Sequence, residues 1–387
     1  YPTVSKSRQW GRRKKSERIR SGNLTMPGDK IMVALSGGVD SSAAAALLVE
    51  QGYDVSAAYM KNWINEDNIL GDCPWQQDVE DASSVAETLG IPFEVVNLMD
   101  AYKSSIVDYL LEGYEEGVTP NPDVMCNREI KFGVFREWAQ SKGFDTVATG
   151  HYARSRVGKN RQRQILTGLD PNKDQTYFLS MMKPEQVQAA RFPVGELLKP
   201  EVREIARRFH LPTATKKDSQ GICFIGQIKM SDFLETYLPD EPGTILSQDG
   251  EVLGHHRGLH FYTLGQRKGI GIASNVYKKS YVVVEKRKAT RELVIAFDEP
   301  ETPNLYSGSC VIRSLSFTGE PLSETCEIQA RPRYRADSVN VRYTSLGKGE
   351  AEIKWATPQR AIACGQICAL YDGELLLGGG IYSEVRS

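Results

Sequence analysis

The sequence lacks the features that mark a membrane protein, a disulfide-stapled secreted domain or a zinc ribbon. No apolar run approaches the roughly 18 residues of a membrane-spanning helix, so no role in a membrane is expected. The seven cysteines form no C-x-x-C pair. There is also no internal repeat and no low-complexity tract. These absences favour a globular protein of a reducing compartment, with the cytoplasm as the default location.

Charge is present in balanced amounts but is unevenly distributed. The 387 residues, enough for two or three domains, carry 48 basic and 49 acidic side chains. Residues 151–220 hold 14 basic against 7 acidic side chains, which is typical of a surface that binds a polyanion such as RNA, although a solvated helix face is the alternative. Residues 1–25 are strongly basic, and we interpret them as a disordered leader or an artefact upstream of Met26. A genuine leader of this kind would favour the mitochondrion.

Strands and helices alternate from residue 31 to about residue 218. The pattern predicts a strand at 31–35, a helix from Ser41, a strand at 93–97 and helices at 101–116 and 129–142. Such alternation predicts an α/β domain, residues 26–220, with a doubly wound parallel sheet and its ligand at the carboxyl ends of the strands. Short alternating segments then predict a small mostly-β domain over 221–302 and a C-terminal β-barrel over 303–387.

Residues 36–42, Ser-Gly-Gly-Val-Asp-Ser-Ser, lie between the first predicted strand and its helix. Glycines let backbone N–H groups approach an anion, serine hydroxyls can donate hydrogen bonds, and the helix dipole adds positive potential. The segment has neither the Gly-Lys-Ser/Thr ending of a Walker loop nor a G-x-G-x-x-G pattern. A simple glycine turn is the alternative, but S-G-G-x-D-S is similar to the PP-loop of the ATP pyrophosphatases.

Two further segments carry a cysteine in a distinctive setting. Residues 119–127, Thr-Pro-Asn-Pro-Asp-Val-Met-Cys-Asn, contain two prolines that predict an extended loop. This loop would present Asp123 and Cys126 just before a helix, where a thiol has a lowered pKa. Cys223 lies two residues after Gly221 at the predicted domain boundary. Either cysteine alone could be an inert buried residue.

Together with the PP-loop, these segments make the chain resemble the tRNA-specific 2-thiouridylases, which place sulfur on C2 of the wobble uridine, position 34. The resemblance covers nearly all of residues 30–387. The segments that carry it are 36–42, 60–63 (Met-Lys-Asn-Trp), 119–127, 130–132 (Ile-Lys-Phe), 149–153 (Thr-Gly-His-Tyr-Ala), 173–179 (Lys-Asp-Gln-Thr-Tyr-Phe-Leu), 219–225 (Ser-Gln-Gly-Ile-Cys-Phe-Ile) and 264–269 (Leu-Gly-Gln-Arg-Lys-Gly).

The resemblance implies a role for each matching residue. Cys126 would be the nucleophile, Cys223 the persulfide carrier and Asp123 a candidate acid/base. The residues implied in ATP binding are Ala34, Leu35, Ser36, Gly37, Gly38, Val39, Asp40, Ser41, the backbone of Met60, and Gly150. The residues implied in contacts with the target base are Asn121, Pro122 and Asp123. The residues implied in other tRNA contacts are His151, Lys173, Asp174, Gln175, Arg333, Tyr334 and Gln366. Before Gln366 the family usually has a proline-containing turn, which this chain lacks.

The chemistry implied by the resemblance uses ATP and Mg²⁺. Adenylation turns the C2 oxygen, a poor leaving group, into AMP, which is a good one. A persulfide on Cys223 would deliver sulfur to C2, and Cys126 would release it and close a Cys126–Cys223 disulfide. The implied products are 2-thiouridine, AMP and pyrophosphate. The implied partners are tRNAs for lysine, glutamate and glutamine, and a cysteine desulfurase or sulfur carrier that donates the persulfide.

Three alternative classes of protein remain open. A PP-loop ligase that adenylates a small substrate would have no use for the two cysteines or for a barrel with basic and aromatic residues. A tRNA-binding module with a vestigial site would not need an intact PP-loop. An iron–sulfur thiolase could use Cys126, Cys223 and Asp123 as ligands, although the absence of C-x-x-C pairs weakens that interpretation. No dedicated metal ligands are assigned.

Overall fold

The computed structural model describes residues 28–63, 75–217, 229–274, 276, 278–322 and 324–386. The predicted basic leader, Cys223 and the predicted boundary at residues 220–221 lie outside these ranges. Within them, no helix is long and apolar enough to span a membrane.

The described helices are seven. They are α1 (Val39–Glu50), α2 (Trp75–Leu89), α3 (99–116), α4 (122–141), α5 (Pro184–Ala189), α6 (Lys199–Arg208) and α7 (Met230–Tyr237). Both α3 and α4 contain an internal π-helical stretch, Lys103–Val107 and Cys126–Val134 respectively. Short 3-10 turns occur at Thr176–Leu179, Pro212–Thr215 and Leu259–Phe261.

The described strands fall into three sheets. In chain order they are β1 (Lys30–Ala34), β2 (Asp54–Lys61), β3 (Phe93–Asn97), β4 (Thr146–Ala148), β5 (Ala153–Val157), β6 (Arg163–Thr167), β7 (Ala190–Arg191), β8 (Gly243–Ser247), β9 (Val252–His256), β10 (Tyr281–Arg287), β11 (Glu292–Phe297), β12 (Tyr306–Phe317), β13 (Cys326–Arg331), β14 (Val339–Gly347), β15 (Glu350–Arg360), β16 (Ile367–Asp372) and β17 (Leu375–Arg386).

The first sheet is parallel, with strand order β3-β2-β1-β4-β7, and it is covered by helices on both faces. Successive side chains of β1 alternate between the two cores, because side chains of a strand point to opposite faces in turn. Ile31 and Val33 join a core with α1, α2 and α6, whereas Met32 and Ala34 join a core with α3 and α4. The doubly wound α/β fold predicted from the sequence is confirmed.

The strand order reverses direction at β1, since the chain runs outward through β2 and β3 and then returns to β4 on the other side. Loops that leave adjacent strands at such a point diverge and form a crevice at the carboxyl edge of the sheet. The loops after β1 and β4 contain residues 36–38 and 149–151. The topology therefore places the PP-loop and the segment around Gly150 side by side.

The helix expected from Glu129 begins earlier, at Pro122. Asn121 caps it, because its Oδ1 accepts a hydrogen bond from the Val124 N–H at 3.2 Å, and Pro122 occupies the first helical turn. Both are helix-start signals, so the extended loop predicted from the two prolines is wrong. Cys126 therefore lies within the helix, one turn beyond its start, and not in a loop ahead of it.

The second half of the chain contains the predicted middle domain and barrel. The middle sheet has the order β10-β11-β8-β9. The barrel runs β12-β15-β14-β13-β16-β17 and closes through antiparallel pairing of β12 with β17. The hairpin β5–β6, which the sequence analysis did not predict, extends the barrel sheet through pairing of Leu166 with Leu375. A segment of the α/β part of the chain is thus continuous with the barrel.

The loop before α4 is held by both β domains. Thr119 donates its N–H to the Cys364 carbonyl at 2.9 Å, and its hydroxyl lies 3.1 Å from that of Thr263 in the middle domain. The Gln366 Nε2 donates to the carbonyls of Thr119 (2.9 Å) and Pro120 (3.1 Å). Gly365 has a φ of +90°, and a Cβ there would lie 2.9 Å from the Thr119 carbonyl. The barrel backbone therefore lies directly against this loop.

Replacing Gly365 with alanine should loosen this junction. Gly373 is the matched control, because its φ is also positive (+57°) but a Cβ there would meet nothing within 4 Å. Both substitutions incur the left-handed backbone penalty of about 1–2 kcal/mol, whereas only Gly365→Ala adds a clash with Thr119. We expect a larger drop in the thermal unfolding midpoint for Gly365→Ala, measured by calorimetry. Equal drops in the two variants would contradict the close approach.

Candidate active site

The PP-loop is folded by hydrogen bonds among its own residues. The Ser36 N–H donates to the Ser41 hydroxyl at 3.2 Å, and the hydroxyls of Ser41 and Ser42 donate to the Gly38 carbonyl at 3.0 and 2.8 Å. Gly37 has a φ of +72°, and a Cβ there would lie 2.4 Å from the Asp78 carbonyl oxygen in α2. Gly38 caps α1 without a side-chain hydrogen bond. The first N–H groups of α1 are therefore available to an anion.

The loop after β4 closes on this helix start. A Cβ on Gly150 would lie 2.5 Å from the Ser41 nitrogen and 2.6 Å from the Asp40 carbonyl carbon. No side chain fits in that space, so residue 150 must be glycine for the two loops to meet. The predicted ATP-binding residues 34–41 and Gly150 are thus brought together at the edge of the sheet.

Asp40 is held by two residues that the sequence analysis did not assign. The Tyr152 hydroxyl donates to Asp40 Oδ1 at 2.8 Å, and Lys199 Nζ donates to Oδ1 and Oδ2 at 2.7 and 3.0 Å. Lys199 stands 159 positions from Asp40, so no local pattern connects them. The lysine forms an ion pair with Asp40 at the start of α1.

The described residues contain no group of three or more histidine, cysteine, aspartate or glutamate side chains that could hold a metal ion. Both oxygens of Asp40 are already hydrogen-bonded.

His151 connects the ATP loops with α4. Its Nδ1 lies 2.7 Å from the Thr149 hydroxyl, and its ring packs near Phe132 of α4 and Phe192, at centroid distances of 6.2 and 6.1 Å. Burial, with a smaller effect from Lys131, holds the pKa of His151 well below its usual 6.5. The predicted tRNA contact is thus a buried imidazole for which burial favours the neutral form.

The first turns of α4 carry Asp123 and Cys126, two of the three predicted catalytic residues. Cys126 is fully buried, and Asp123 lies three residues before it on the partly exposed first turn. Asn127 Nδ2 donates to the Asp123 carbonyl at 3.0 Å. No disulfide joins the described cysteines, which are Cys126, Cys310, Cys326, Cys364 and Cys368. The Cys126–Cys223 pairing stays a prediction, because Cys223 lies outside the described residues.

The chain on each side of residues 218–228 is anchored close to the sheet. Lys216 Nζ contacts Asp78 at 2.7 Å and Asp81 at 2.5 Å, both in α2. Burial opposes ionisation of Lys216, but the hydrogen bonds to Asp78 and Asp81 outweigh it and raise the pKa of Lys216. On the other side, Phe233 of α7 packs edge-on against Trp63 at 6.1 Å, just after β2.

Several predicted tRNA-binding side chains are engaged within the protein. The Asp174 carboxylate accepts hydrogen bonds from the Gly168 N–H (3.0 Å) and the Thr176 hydroxyl (2.9 Å), and it pairs with Arg331 of the barrel. Gln175 Oε1 accepts from the Tyr152 N–H at 3.0 Å. These two residues connect the barrel with the tyrosine that holds Asp40.

The remaining predicted tRNA contacts differ in their exposure. Arg333 is exposed and donates to the Arg360 carbonyl at 2.9 Å. Tyr334 packs on Phe178 at a centroid distance of 4.3 Å. Lys173 is half-buried. Gln366 and Asn121 are hydrogen-bonded to each other at 3.3 Å, so the barrel contact lies at the predicted target-base residues.

Family models match three consecutive parts of the chain: a tRNA methyl transferase HUP domain over residues 29–227, a tRNA methyl transferase PRC-barrel domain over 231–297 and an Aminomethyltransferase beta-barrel domain over 307–382. Among curated relatives, the tRNA-specific 2-thiouridylase MnmA of Akkermansia muciniphila is 55% identical over 92% of this chain and 99% of its own length. The protein of that name from Neisseria meningitidis is 45% identical over 93% of this chain and 96% of its own length.

Among solved structures, a 4-thiouridine synthetase–RNA complex with bound ATP matches with 17% identity and a TM-score of 0.33, covering 54% of this chain and 49% of that one. The sequence matches and the architecture define a HUP-type α/β domain followed by a PRC-barrel domain and a β-barrel. With relatives at 55% and 45% identity over nearly the whole length, the chain belongs to the tRNA-specific 2-thiouridylase MnmA family.

Removing the cation that balances Asp40 should weaken ATP binding. In Lys199→Met no cation offsets Asp40 at the start of α1, so the proposed nucleotide site becomes less favourable for phosphates. A negative charge left without its cation a few ångströms from the phosphates costs about 1–2 kcal/mol at a partly exposed site, so we expect the dissociation constant of ATP to rise by about tenfold, measured by calorimetry. Lys183→Met, at an exposed position, is the control. Unchanged affinity in Lys199→Met would contradict this role of Asp40 and Lys199.

Burial of neutral His151 should make the protein less stable in acid. The pKa of His151 is lower in the folded state than in the unfolded state. The free energy of unfolding is therefore unaffected by protonation of His151 above about pH 6.5. Below that pH it decreases, by up to about 1.4 kcal/mol per pH unit, until the pH reaches the pKa of the folded state. We expect His151→Gln to reduce the fall in unfolding midpoint between pH 8 and pH 5.5. His255→Gln, at an exposed position, should keep the wild-type slope. If the unfolding midpoint of His151→Gln fell with pH as steeply as that of the wild type, this prediction would be contradicted.

Proposed function

We propose that this protein is an ATP-dependent tRNA sulfurtransferase that converts the wobble uridine, position 34, to 2-thiouridine. The observation that carries the proposal is that the PP-loop and the loop of Gly150 and His151 meet at one edge of the parallel sheet, where His151 packs near Phe132 of α4. Family membership supports the same reaction, because the curated relatives are named 2-thiouridylases.

Nucleotide activation is the task of the PP-loop in this proposal. The N–H groups at the start of α1 bind the phosphates of ATP, and Mg²⁺ bound to the phosphates offsets their charge. The C2 oxygen of uridine attacks the α-phosphorus, the bond to the β-phosphate oxygen breaks, and pyrophosphate leaves. The oxygen of C2 is then part of an AMP leaving group.

Sulfur transfer follows at the same carbon. The terminal sulfur of a Cys223 persulfide bonds to C2, and the C2–O bond breaks to release AMP. The Cys126 thiolate then attacks the Cys223 sulfur, and the electrons of the old S–S bond stay on the sulfur at C2. The Cys126–Cys223 disulfide formed in this step is reduced by a dithiol reductant before the next cycle. Asp123 is the acid/base for protons that move at the base.

The tRNA would reach this site from the barrel side. Arg333 and Tyr334 lie on a barrel loop next to Phe178, and Gln366 contacts Asn121 at the start of α4. The uridine must leave its stack to reach buried Cys126, which costs a few kcal/mol and is least costly in a single-stranded loop. We expect tRNAs for lysine, glutamate and glutamine as substrates, a cysteine desulfurase or sulfur carrier as donor, and the cytoplasm as location, since the named relatives are bacterial.

The test is formation of 2-thiouridine on unmodified tRNA with ATP, Mg²⁺ and a persulfide donor. We expect Cys126→Ala and Cys223→Ala to abolish the product, quantified by mass spectrometry of nucleosides, while both still exchange pyrophosphate into ATP in the presence of tRNA. Cys326→Ala, in the barrel, should stay active.

Thiolation by both cysteine variants would contradict the sulfur-transfer steps. ATP cleavage by the wild type without sulfur in tRNA would instead favour a PP-loop enzyme that adenylates a small substrate. Iron bound in proportion to protein after anaerobic purification would replace the persulfide route with an iron–sulfur one.

A further inference from the structure

Residues 264–269 carry part of the family resemblance but have no part in the proposed reaction. They begin a glycine-rich loop of the middle domain, between the 3-10 turn at Leu259–Phe261 and β10. The sequence of residues 265–281 contains no acidic side chain and four basic ones, which are Arg267, Lys268, Lys278 and Lys279. A cationic surface loop of this kind is typical of a site that binds a polyanion.

A cavity lies beside this loop. Its volume is about 330 Å³, it is open to solvent, and its lining comprises Arg267, residues 269–274 and residues 279–281. Arg267 and Lys279 are both exposed, and Lys279 Nζ pairs with Glu299 at 2.5 Å. Guanidinium and ammonium groups donate hydrogen bonds and accept none. The cavity therefore offers both space and donors to an anion that arrives from solvent.

The backbone of the loop supplies further donors. In the part of the chain that the structure describes, the N–H groups of residues 267–273 donate no hydrogen bond to another backbone carbonyl. Gly269 and Gly271 have φ values of +75° and +82°, and a Cβ at Gly271 would meet nothing within 4 Å. Successive N–H groups in such turns form concave nests that bind anions. Phosphate oxygens, which accept hydrogen bonds, match this set of donors.

The loop is held in place by the core of the middle domain. Ile270 is 5% exposed and packs in that core, together with the partly buried Ile272, whereas the residues that alternate with them are exposed. The Gln266 side chain fixes the preceding turn. Its Oε1 accepts from the Thr263 N–H at 3.1 Å, and its Nε2 donates to the Lys268 carbonyl at 3.0 Å. A loop that is ordered before binding loses less conformational entropy when it binds.

A row of arginines connects this cavity with a predicted tRNA contact. Asp298 in the middle domain pairs with Arg267 Nε at 3.3 Å and with Arg360 Nη2, on the barrel, at 3.0 Å. The Arg360 carbonyl accepts a hydrogen bond from Arg333 at 2.9 Å. One carboxylate between two guanidinium groups leaves a net positive charge. The cationic surface is therefore continuous from the cavity to Arg333.

We propose that the cavity beside residues 267–274 binds a phosphate of the tRNA backbone, and that it extends the tRNA-binding surface from Arg333 into the middle domain. The inference rests on the proposed thiolation of tRNA. Continuity with Arg333 favours a polymer that spans both places over a free phosphate ion. A backbone phosphate carries no sequence information, so this contact orients tRNA on the protein and does not select the anticodon.

The test measures the dissociation constant of unmodified tRNA by filter binding, without ATP, between about 50 and 200 mM salt. Arg267→Gln removes the cation at the cavity and keeps a polar side chain. Lys30→Gln is the control, because Lys30 is exposed at the amino end of β1, opposite the edge that carries the ATP loops. The slope of log affinity against log salt concentration is unaffected by a constant unfolded fraction, so a less stable variant stays informative.

We expect Arg267→Gln to raise the dissociation constant about two- to fivefold, the effect of one exposed ion pair. The magnitude of the salt slope should fall by about 0.7–0.9, the value of one phosphate contact. Transcripts with U34 and C34 should be affected equally, because a phosphate contact does not read the base. Lys30→Gln should keep the wild-type affinity and slope.

An unchanged slope in Arg267→Gln would overturn the inference, and so would a loss of affinity for one of the two transcripts alone. Inorganic phosphate that raises the unfolding midpoint of the wild type but not of Arg267→Gln, with tRNA affinity equal in the two, would assign the cavity to a free anion instead. Absence of 2-thiouridine with the wild type would overturn the proposed function. That result is distinct from the slopes, because tRNA binding is measured without ATP or a sulfur donor.

Discussion

The candidate site depends on one contact: the barrel turn at Gly365 and Gln366 packs against and hydrogen-bonds to residues 119–121. These residues set where α4 begins, because Asn121 is the cap of that helix. Through Gln366 the same contact ties the cap to the barrel, and through Thr119 it reaches the middle domain. Cys126, Asp123 and Asn127 all lie in the first two turns of α4, so their positions follow from a junction of all three parts of the fold.

A second connection runs from the barrel to the PP-loop. Arg331 pairs with Asp174, the neighbouring Gln175 binds the backbone of Tyr152, and the Tyr152 hydroxyl binds Asp40. Partly buried hydrogen bonds of this kind favour a single arrangement, because breaking one partner leaves the other unpaired. The barrel thus contacts both the segment that holds Tyr152 and, through Gln366, the start of α4.

The sequence was informative where the signal was local. The Ser-Gly-Gly-Val-Asp-Ser-Ser segment predicted a phosphate-binding turn, and the structure shows that its serines and glycines fold it. The alternation of strands and helices predicted the parallel sheet. The start of α4 was predicted wrongly, because Asn-Pro can begin a helix as well as a loop, and contacts with the barrel select the helix. The hairpin β5–β6 was missed, although Gly158 and Asn160 mark a turn between two short strands.

The amino-acid sequence by itself determined the phosphate-binding loop, the layer order of the α/β domain and the family, since these depend on residues a few positions apart or on matches along the whole chain. Only the tertiary structure decided that Lys199 balances Asp40 from 159 positions away and that Gln366 holds Thr119 from 247 positions away. It also decided that Asn127 Oδ1 is buried without a hydrogen-bond partner among the residues that the structure describes. Such contacts arise from how helices, strands and loops pack together, and no local sequence pattern specifies which distant side chain a residue will contact.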